Sequence, residues 1–267
     1  MTGVAEHFRA FTFVDRITAV TPGVRARGCY HIPPGLAAFP ELLIGEAVGQ
    51  LAAWIVMQAV EFRLRPVAGI VGQFDTHQPV RPGQTLELTA EVASVDDSAA
   101  AYGGRALVNG APVFESFRCV GPMLPLADFD DPAAVRAHFD RLCHGGAEPG
   151  GFAGLPPLPW TVLEQTPDRL LARFPLPATG AFFADHFPRR PVFPGTLLMQ
   201  ANLDVARALT GRPAFTATDA KLRAFCEPGD TVEIEARWDG GPQVQLTTRR
   251  AGRVIGGSRV LVAEAPR

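Results

Sequence analysis

One segment of the chain places a histidine, the side chain best suited to move protons near neutral pH, in an unusually stiff backbone. Residues 185–196 read DHFPRRPVFPGT and lead into an apolar stretch. Each proline fixes φ at about −65° and removes an N–H donor, so a loop rich in proline has few conformations. Pro194 and Gly195 suit the start of a helix, whose first N–H groups have no partner inside the helix. The segment therefore predicts that His186 is held at a fixed position beside free helix-start amides, which is a layout for catalysis.

This segment resembles the central motif of 3-hydroxyacyl-acyl-carrier-protein dehydratases of the FabA/FabZ type. In that family, His-Phe-Pro-x-x-Pro-Val-x-Pro-Gly precedes the long helix of a hotdog fold. The chain departs from the pattern at one position, because the acidic residue that the family carries five residues after the glycine is Gln200 here. On this segment alone the site would lack its acid.

A repeat within the chain supplies the missing carboxylate. Residues 39–47 (FPELLIGEA) align with residues 193–201 (FPGTLLMQA), and this alignment places Glu46 opposite Gln200. The sequence EAVGQ, from Glu46 to Gln50, then reads like the helix signature of the family.

A second pair of segments supports the duplication. Residues 82–88 (PGQTLEL) align with residues 228–234 (PGDTVEI), in the same order along the chain, as expected for an internal repeat. The run 11–17 (FTFVDRI) also resembles the opening strand of the family. The resemblance therefore covers most of the chain, although its most specific part is the segment 185–196.

The resemblance implies an α+β fold, a double hotdog in which two curved antiparallel sheets each wrap around a long central helix. In the family, two hotdog subunits pair, and each active site takes its histidine from one subunit and its acid from the other. We therefore expect a pseudo-dimer within one chain. Its parts are an N-terminal half, 1–122, that supplies Glu46, a linker rich in proline and glycine with a short helix, 123–158, and a C-terminal half, 159–267, that supplies His186.

Hydrophobic patterning predicts the elements of this fold. Residues 42–60 are apolar nearly all round, which is typical of a helix buried on every side, and the polar Glu46, Gln50 and Gln58 within it argue against a membrane span. Alternation with period two predicts half-buried strands, and glycine or aspartate pairs predict turns. The expected strands are 85–92, 113–120, 232–238 and 253–263, the expected short helix is 131–143, and the expected turns are at Asp96-Asp97, Gly103-Gly104 and Gly240-Gly241.

Composition argues against several function classes. The chain has 267 residues, of which 47% are hydrophobic, so it can fill the cores of two ordinary domains. A formal charge of −2 gives no global basic field, and we expect no nucleic-acid partner. The four cysteines lack the spacing of a zinc site or a disulfide framework, so we expect no metal. The first ten residues contain charges and no apolar run of signal-peptide length, which predicts a cytoplasmic location.

The resemblance also implies a role for each residue of the site. His186 takes the C2 proton, Glu46 protonates the departing hydroxyl, and the amide of Gly195 polarises the thioester carbonyl. Gln50 lies one helical turn after Glu46. Its amide either orients the carboxyl or the substrate hydroxyl, or is a buried amide bonded to the backbone.

Neighbouring residues of the motif are expected to bind the substrate. Phe187, Phe193 and Pro194 would contact the acyl chain in its tunnel. Arg189 and Arg190 occupy the variable positions of the motif, beside the expected tunnel mouth. They form either a solvated basic turn or a docking point for a phosphopantetheine phosphate or an acidic carrier-protein helix, since arginine suits phosphate recognition.

The pseudo-dimer has a second position that corresponds to this site, and the sequence there lacks the acid and the glycine of the motif. It would combine His31, which only loosely echoes the His-Phe-Pro element, with Gln200, and Glu41 stands where the motif has glycine. Asp204, one helical turn after Gln200, could in principle replace the acid. We expect a single active site per chain.

The function that these observations favour is removal of water from a 3-hydroxyacyl thioester, carried on acyl carrier protein or CoA, to give the trans-2-enoyl product in fatty-acid or polyketide-type biosynthesis. No cofactor is expected beyond the phosphopantetheine arm that carries the substrate. Enoyl-CoA hydration, isomerisation or thioester hydrolysis on the same scaffold remain alternatives, as does a noncatalytic acyl-carrier or assembly subunit. Two pseudo-dimeric chains could also form a homodimer.

Overall fold

The computed structural model describes residues 7–149, 151–156 and 158–263. Its first half contains one long helix, α1 (Glu41–Ala59), and seven strands. These strands are β1 (Arg16–Thr21), β2 (Arg25–His31), β3 (Leu64–Pro66), β4 (Ile70–Thr76), β5 (Thr85–Val95), β6 (Ala99–Val108) and β7 (Ala111–Pro125).

A connecting segment with a short helix, α2 (Pro132–His144), leads to the second half. That half contains a long helix, α3 (Gly195–Thr210), and six strands. The strands are β8 (Thr161–Thr166), β9 (Arg169–Pro175), β10 (Ala214–Leu222), β11 (Thr231–Trp238), β12 (Gln243–Arg250) and β13 (Arg253–Val262). Single 3-10 turns span Leu126–Asp128 and Ala181–Ala184.

The strands form one continuous antiparallel sheet, in which equivalent strands of the two halves follow each other from the two edges toward the centre. The order is β1-β2-β5-β6-β7-β4-β10-β13-β12-β11-β9-β8, with β3 pairing with the end of β7. The halves meet where β4 pairs with β10, with Phe74 opposite Ala217. Each half wraps its sheet around its own long helix, and the two helices contact each other. The α+β double hotdog expected from the sequence is confirmed.

Helix α1 is the core of the first half. Leu43, Ile44, Leu51 and Ile55 have no measurable exposure, as an all-round apolar sequence requires. By length and mean hydropathy (1.4) it is the one helix among the described residues that could cross a membrane, but 61% of that stretch is buried inside the fold. The apolar surface is therefore covered by protein.

A glycine pair expected to form a turn instead lies inside a strand. Gly103 and Gly104 belong to β6, where a side chain at Gly104 would approach the Thr89 oxygen to 2.4 Å and Val48 of α1 to 2.7 Å. The pair lets the helix pack closely on the sheet. The turns at Asp96-Asp97 and at Gly240-Gly241 form as expected, the former closed by the Asp96 carboxylate, which accepts from Ser98 N at 2.7 Å.

The predicted boundaries shift by a few residues elsewhere. The opening strand begins only at Arg16, because residues 11–13 are bonded to side chains of the site rather than to a neighbouring strand. Helix α2 begins at Pro132 after the Asp131 side chain, which accepts from Ala133 N at 3.2 Å. Strand β7 runs to Pro125, past the predicted end of the first half at residue 122. The predicted halves also include residues 1–6 and 264–267, which lie outside the described residues.

Candidate active site

A cavity of about 340 Å³ lies between the two halves. Helix α1 contributes Glu46 and Gln50 to its wall, the loop before α3 contributes His186, and α3 contributes its first residue, Gly195. The two residues that the repeat assigned to one site, 140 positions apart in the sequence, therefore line the same cavity.

His186 is fixed by three hydrogen bonds of its own loop. Its backbone N–H donates to the Phe182 carbonyl at 2.9 Å, and its carbonyl accepts from Val192 N at 3.0 Å. The ring Nδ1 lies 2.9 Å from the Val192 carbonyl, which can only accept, so Nδ1 carries the proton and Nε2 has its lone pair free. Burial lowers the pKa of His186, while the nearby Glu46 carboxyl acts in the opposite direction. The ring is therefore neutral near pH 7, as a general base must be.

Glu46 is anchored by both halves of the molecule. Its Oε1 accepts from Gln50 Nε2 at 3.0 Å within α1, and its Oε2 accepts from the Thr196 hydroxyl at 2.7 Å. Thr196 is the second residue of α3 and was not recognised as a site residue from the sequence. Its place directly after the motif glycine, on the helix that faces α1, was the available signal.

Gln50 does both things that the sequence left open. Its Nε2 donates to Glu46 Oε1 and to the Phe11 carbonyl, each at 3.0 Å, and its Oε1 accepts from Phe13 N at 2.8 Å. Because both amide hydrogens are engaged, the side chain orients the Glu46 carboxyl and is at the same time bonded to backbone.

The segment 8–13, which we call the N-terminal strap, joins the two catalytic elements. The Asp185 carboxylate, next to His186, accepts from the backbone N–H groups of Phe8 (2.6 Å), Arg9 (3.0 Å) and Phe11 (2.8 Å). The edge of the Phe11 ring also meets the His186 ring at a centroid distance of 5.5 Å. The strap is thus bonded to the residue before the base and, through Gln50, to the helix that carries the acid.

Arg65 is a second feature that the sequence did not reveal. It lies in β3 and lines the cavity with its guanidinium carbon 3.8 Å from the centre of the Phe187 ring. Phe187 in turn stacks on His186 at 4.1 Å. Burial lowers the pKa of Arg65 to about 10, against the opposing charges of Asp130 and Glu46, so the side chain remains a cation near pH 7.

The predicted substrate-binding residues take different places. Phe187 and Phe193 line the cavity and are 7% and 5% exposed. Pro194 is buried as the cap of α3, where its carbonyl accepts from the first turn of the helix. Arg189 and Arg190 are exposed on the outer side of the loop; Arg189 donates to the Ala127 carbonyl, and Arg190 lies over the rings of Phe129 (5.5 Å) and Phe225 (5.0 Å).

The start of α1, which corresponds to the start of α3 in the other half, is occupied by side chains of the protein itself. Gln200 Oε1 accepts from Leu42 N at 3.3 Å, and its Nε2 donates to Asp204 at 3.0 Å and to Glu41 at 3.4 Å. Glu41 also forms an ion pair with Arg207 at 2.5 Å. His31 is bonded instead to the Thr85 hydroxyl at 3.2 Å. The amide of Leu42, in the first turn of α1, is therefore already bonded to a side chain.

No group of three or more His, Cys, Asp or Glu side chains within the described part of the chain is arranged to hold a metal ion.

The sequence is similar to known dehydratases. A family model described as ApeI-like, ApeI dehydratase, matches residues 163–256. The 3-hydroxyacyl-[acyl-carrier-protein] dehydratase FabZ of Herpetosiphon aurantiacus is 30% identical over 124 residues, which are 42% of this chain and 87% of that protein. The FabZ of Thermomicrobium roseum is 32% identical over 119 residues, 40% of this chain and 79% of that protein.

Solved structures share the fold over nearly the whole chain. An acyl-ACP thioesterase from Bacteroides thetaiotaomicron covers 90% of this chain and 98% of its own, with a TM-score of 0.57 and 11% identity. A MaoC-like dehydratase covers 91% and 98%, with a TM-score of 0.53 and 12% identity. At these identities the likeness concerns the two-hotdog architecture and not the reaction.

Proposed function

We propose a function from one premise, that the chain belongs to the FabZ type of 3-hydroxyacyl-[acyl-carrier-protein] dehydratases. The proposed reaction converts 3-hydroxyacyl thioesters into trans-2-enoyl thioesters. The observation that carries the proposal is the convergence of His186 and Glu46, one from each half, on a single largely apolar cavity. A histidine and a carboxyl group on one substrate pocket suit a reaction that needs a base and an acid.

In this reaction His186 Nε2 takes a proton from C2, and the electron pair of that C–H bond forms the C2–C3 double bond. The C3–O bond breaks as Glu46 gives a proton to the departing hydroxyl, and water leaves. Negative charge that builds up on the thioester oxygen is stabilised by the amide of Gly195 at the start of α3, where the helix dipole adds to the hydrogen bond. The conversion is redox-neutral, so it balances without an oxidant or a reductant.

The carrier of the substrate is proposed to be the phosphopantetheine arm of an acyl carrier protein or of CoA. Arg189 and Arg190 are exposed on the loop that carries His186, which supports a role in binding a phosphate or acidic carrier side chains. A second copy of the pseudo-dimeric chain as a partner, and a cytoplasmic location, belong to the same proposal.

The test is product analysis with a 3-hydroxyacyl-pantetheine thioester. We expect the enoyl thioester and water, and we expect His186→Ala and Glu46→Gln each to lower turnover by about a hundredfold or more while the protein stays folded. His31→Ala is the matched control, because His31 lies outside the cavity lining, and it should retain activity.

Release of free thiol would instead identify a thioesterase. Interconversion of enoyl-CoA and 3-hydroxyacyl-CoA with no turnover of carrier-bound 3-hydroxyacyl thioesters would instead favour an enoyl-CoA hydratase. Folded variants with wild-type turnover would refute the assignment of the acid and the base, and tight acyl-carrier binding without any turnover would favour the noncatalytic subunit.

A further inference from the structure

Arg65 lines the cavity as a cation that contacts aromatic rings but has no hydrogen-bond acceptor among the described residues. Within the described residues, its guanidinium makes no hydrogen bond or ion pair, and its Nε is also shielded from solvent. An unpaired buried N–H is destabilising, and more so when the group is charged. The guanidinium of Arg65 is therefore available to bind an acceptor that a ligand brings into the cavity.

The two carboxylates whose charges raise the pKa of Arg65 are hydrogen-bonded to other groups. Asp130 accepts from the Asp131 amide at 2.7 Å and lies 3.1 Å from His7 Nε2. Glu46 is held by Gln50 and Thr196. Neither pairs with the guanidinium, although both raise the pKa of Arg65 against the effect of burial.

The orientation of Arg65 is set by aromatic rings. The guanidinium lies over Phe187, 3.8 Å from the ring centre, and 5.8 Å from the centre of Phe129. A ring contact of this kind does not use the N–H groups of the guanidinium, which bind oxygen acceptors in the guanidinium plane. His186, Phe187 and Arg65 thus form one stack, and the cation is separated from the base by a single ring.

This place in the stack decides which part of a thioester substrate can reach Arg65. A carrier phosphate is separated from the reacting carbons by the whole pantetheine arm, whereas Arg65 is one ring away from the base. Arg190, which is exposed and lies 5.5 Å from the Phe129 ring centre, is the arginine better placed for such a phosphate. An oxygen that meets Arg65 is therefore one carried by the acyl group, a few bonds from the reacting carbons.

We propose that Arg65 forms a subsite for an acceptor oxygen on the acyl chain beyond C3, with a carboxylate as its strongest ligand. The inference rests on the proposed dehydration and narrows its substrates to 3-hydroxyacyl thioesters whose chain carries a further oxygen function. A plain alkyl chain would leave the cation without an acceptor in the cavity. A chain with an acceptor near C5 would pair it.

The experiment compares two short substrates of equal length, 3-hydroxyglutaryl-pantetheine and 3-hydroxypentanoyl-pantetheine, which differ in a carboxylate at C5. The wild type should favour the carboxylate in kcat/KM. Arg65→Met should lower kcat/KM for that substrate by about tenfold to a hundredfold, the effect of losing a charge-assisted hydrogen bond, and should change the alkyl substrate much less. Arg65→Lys should restore part of the preference, because it restores the charge without the planar fork.

Arg63→Met is the matched control, since Arg63 lies two residues away and is bonded to Asp97 at the surface. It should leave the preference unchanged. The same acyl groups on 4′-phosphopantetheine separate the two possible sources of the oxygen. A loss in Arg65→Met that appears only with the phosphate present would overturn the assignment to the acyl chain.

The outcomes also separate this inference from the proposed function. If the wild type dehydrates neither substrate nor longer 3-hydroxyacyl thioesters, the proposed function fails. If the wild type dehydrates both and folded Arg65→Met lowers both by the same factor, or neither, the dehydratase stands and the subsite does not exist.

Discussion

The protonation state of His186 follows from what surrounds the ring. Burial lowers its pKa, the Glu46 carboxyl raises it, and the Arg65 cation lowers it again. The Val192 carbonyl fixes the proton on Nδ1, so the lone pair is on Nε2. Burial is therefore the main cause that keeps the ring neutral near pH 7, and the neighbouring charges modify its effect.

The pH dependence of turnover should reflect this balance. A base with a lowered pKa loses activity only in more acidic solution, so the acidic limb of kcat/KM should lie below pH 6.5, the ordinary value for histidine. Measurement of kcat/KM from pH 4.5 to 8 tests this, with His31→Ala giving the same curve. A limb above pH 6.5 that disappears in a His186 variant would contradict it.

At the scale of elements, the strap explains how a loop and a helix from different halves keep their spacing. The contacts of Asp185 with the strap join residues 174 to 177 positions apart. A misplacement of about 1 Å in a catalytic group can cost a hundredfold in rate, so a device that holds both sides has a direct effect on turnover.

Asp185→Ala should therefore act through position. We expect kcat to fall by about tenfold or more, with a smaller change in KM and faster hydrogen exchange at the amides of Phe8, Arg9 and Phe11. Asp96→Ala is the control, because Asp96 also accepts from two backbone amides and a hydroxyl but closes a distant hairpin. Equal kinetics in the two variants would show that the strap does not position the base.

The catalytic loop carries its two exposed arginines on its outer face. If Arg189 and Arg190 meet a phosphate or acidic carrier side chains, replacing both with glutamate should raise KM for the carrier-bound substrate and weaken its salt dependence. A truncated thioester should be affected less. Equal losses with both substrates would mean that the loss comes from a distorted loop, since Arg189 also bonds to the Ala127 carbonyl.

The parts of the site that could be predicted are those whose residues lie next to each other in the sequence. The His186 loop and the α1 acid lie in contiguous motifs, and the repeat identified their partnership. Arg65 gave no local signal, because its role arises from a stack that joins β3 to a loop far away in the sequence. The Gly103-Gly104 turn was wrong for a related reason, since the close approach of α1 outweighed the usual meaning of paired glycines.

At the scale of the whole molecule, the two halves differ at the starts of their long helices. Gln200 occupies the amide of Leu42, and the pair of Glu41 with Arg207 fills the place where the other half has glycine. A fused chain needs only one complete combination of base and acid, so the other can be used for packing.

A mechanism-based inhibitor that alkylates the catalytic histidine should thus label His186 to one equivalent per chain. Gln200→Ala and His31→Ala should retain most activity, because the groups they remove lie outside the cavity lining. Peptide mapping of the labelled protein gives the result. Label on His31, together with loss of half the activity on its removal, would show two working sites.

The pairing of β4 with β10 has a consequence for how activity depends on concentration. In a two-subunit enzyme, base and acid are brought together by association, and dilution below the dissociation constant separates them. Here β4 and β10 belong to the same polypeptide, so the two halves associate within one chain. Their association is governed by an effective local concentration that dilution does not change. Specific activity per chain should stay constant into the nanomolar range, and a loss of base and acid together should follow unfolding rather than dissociation.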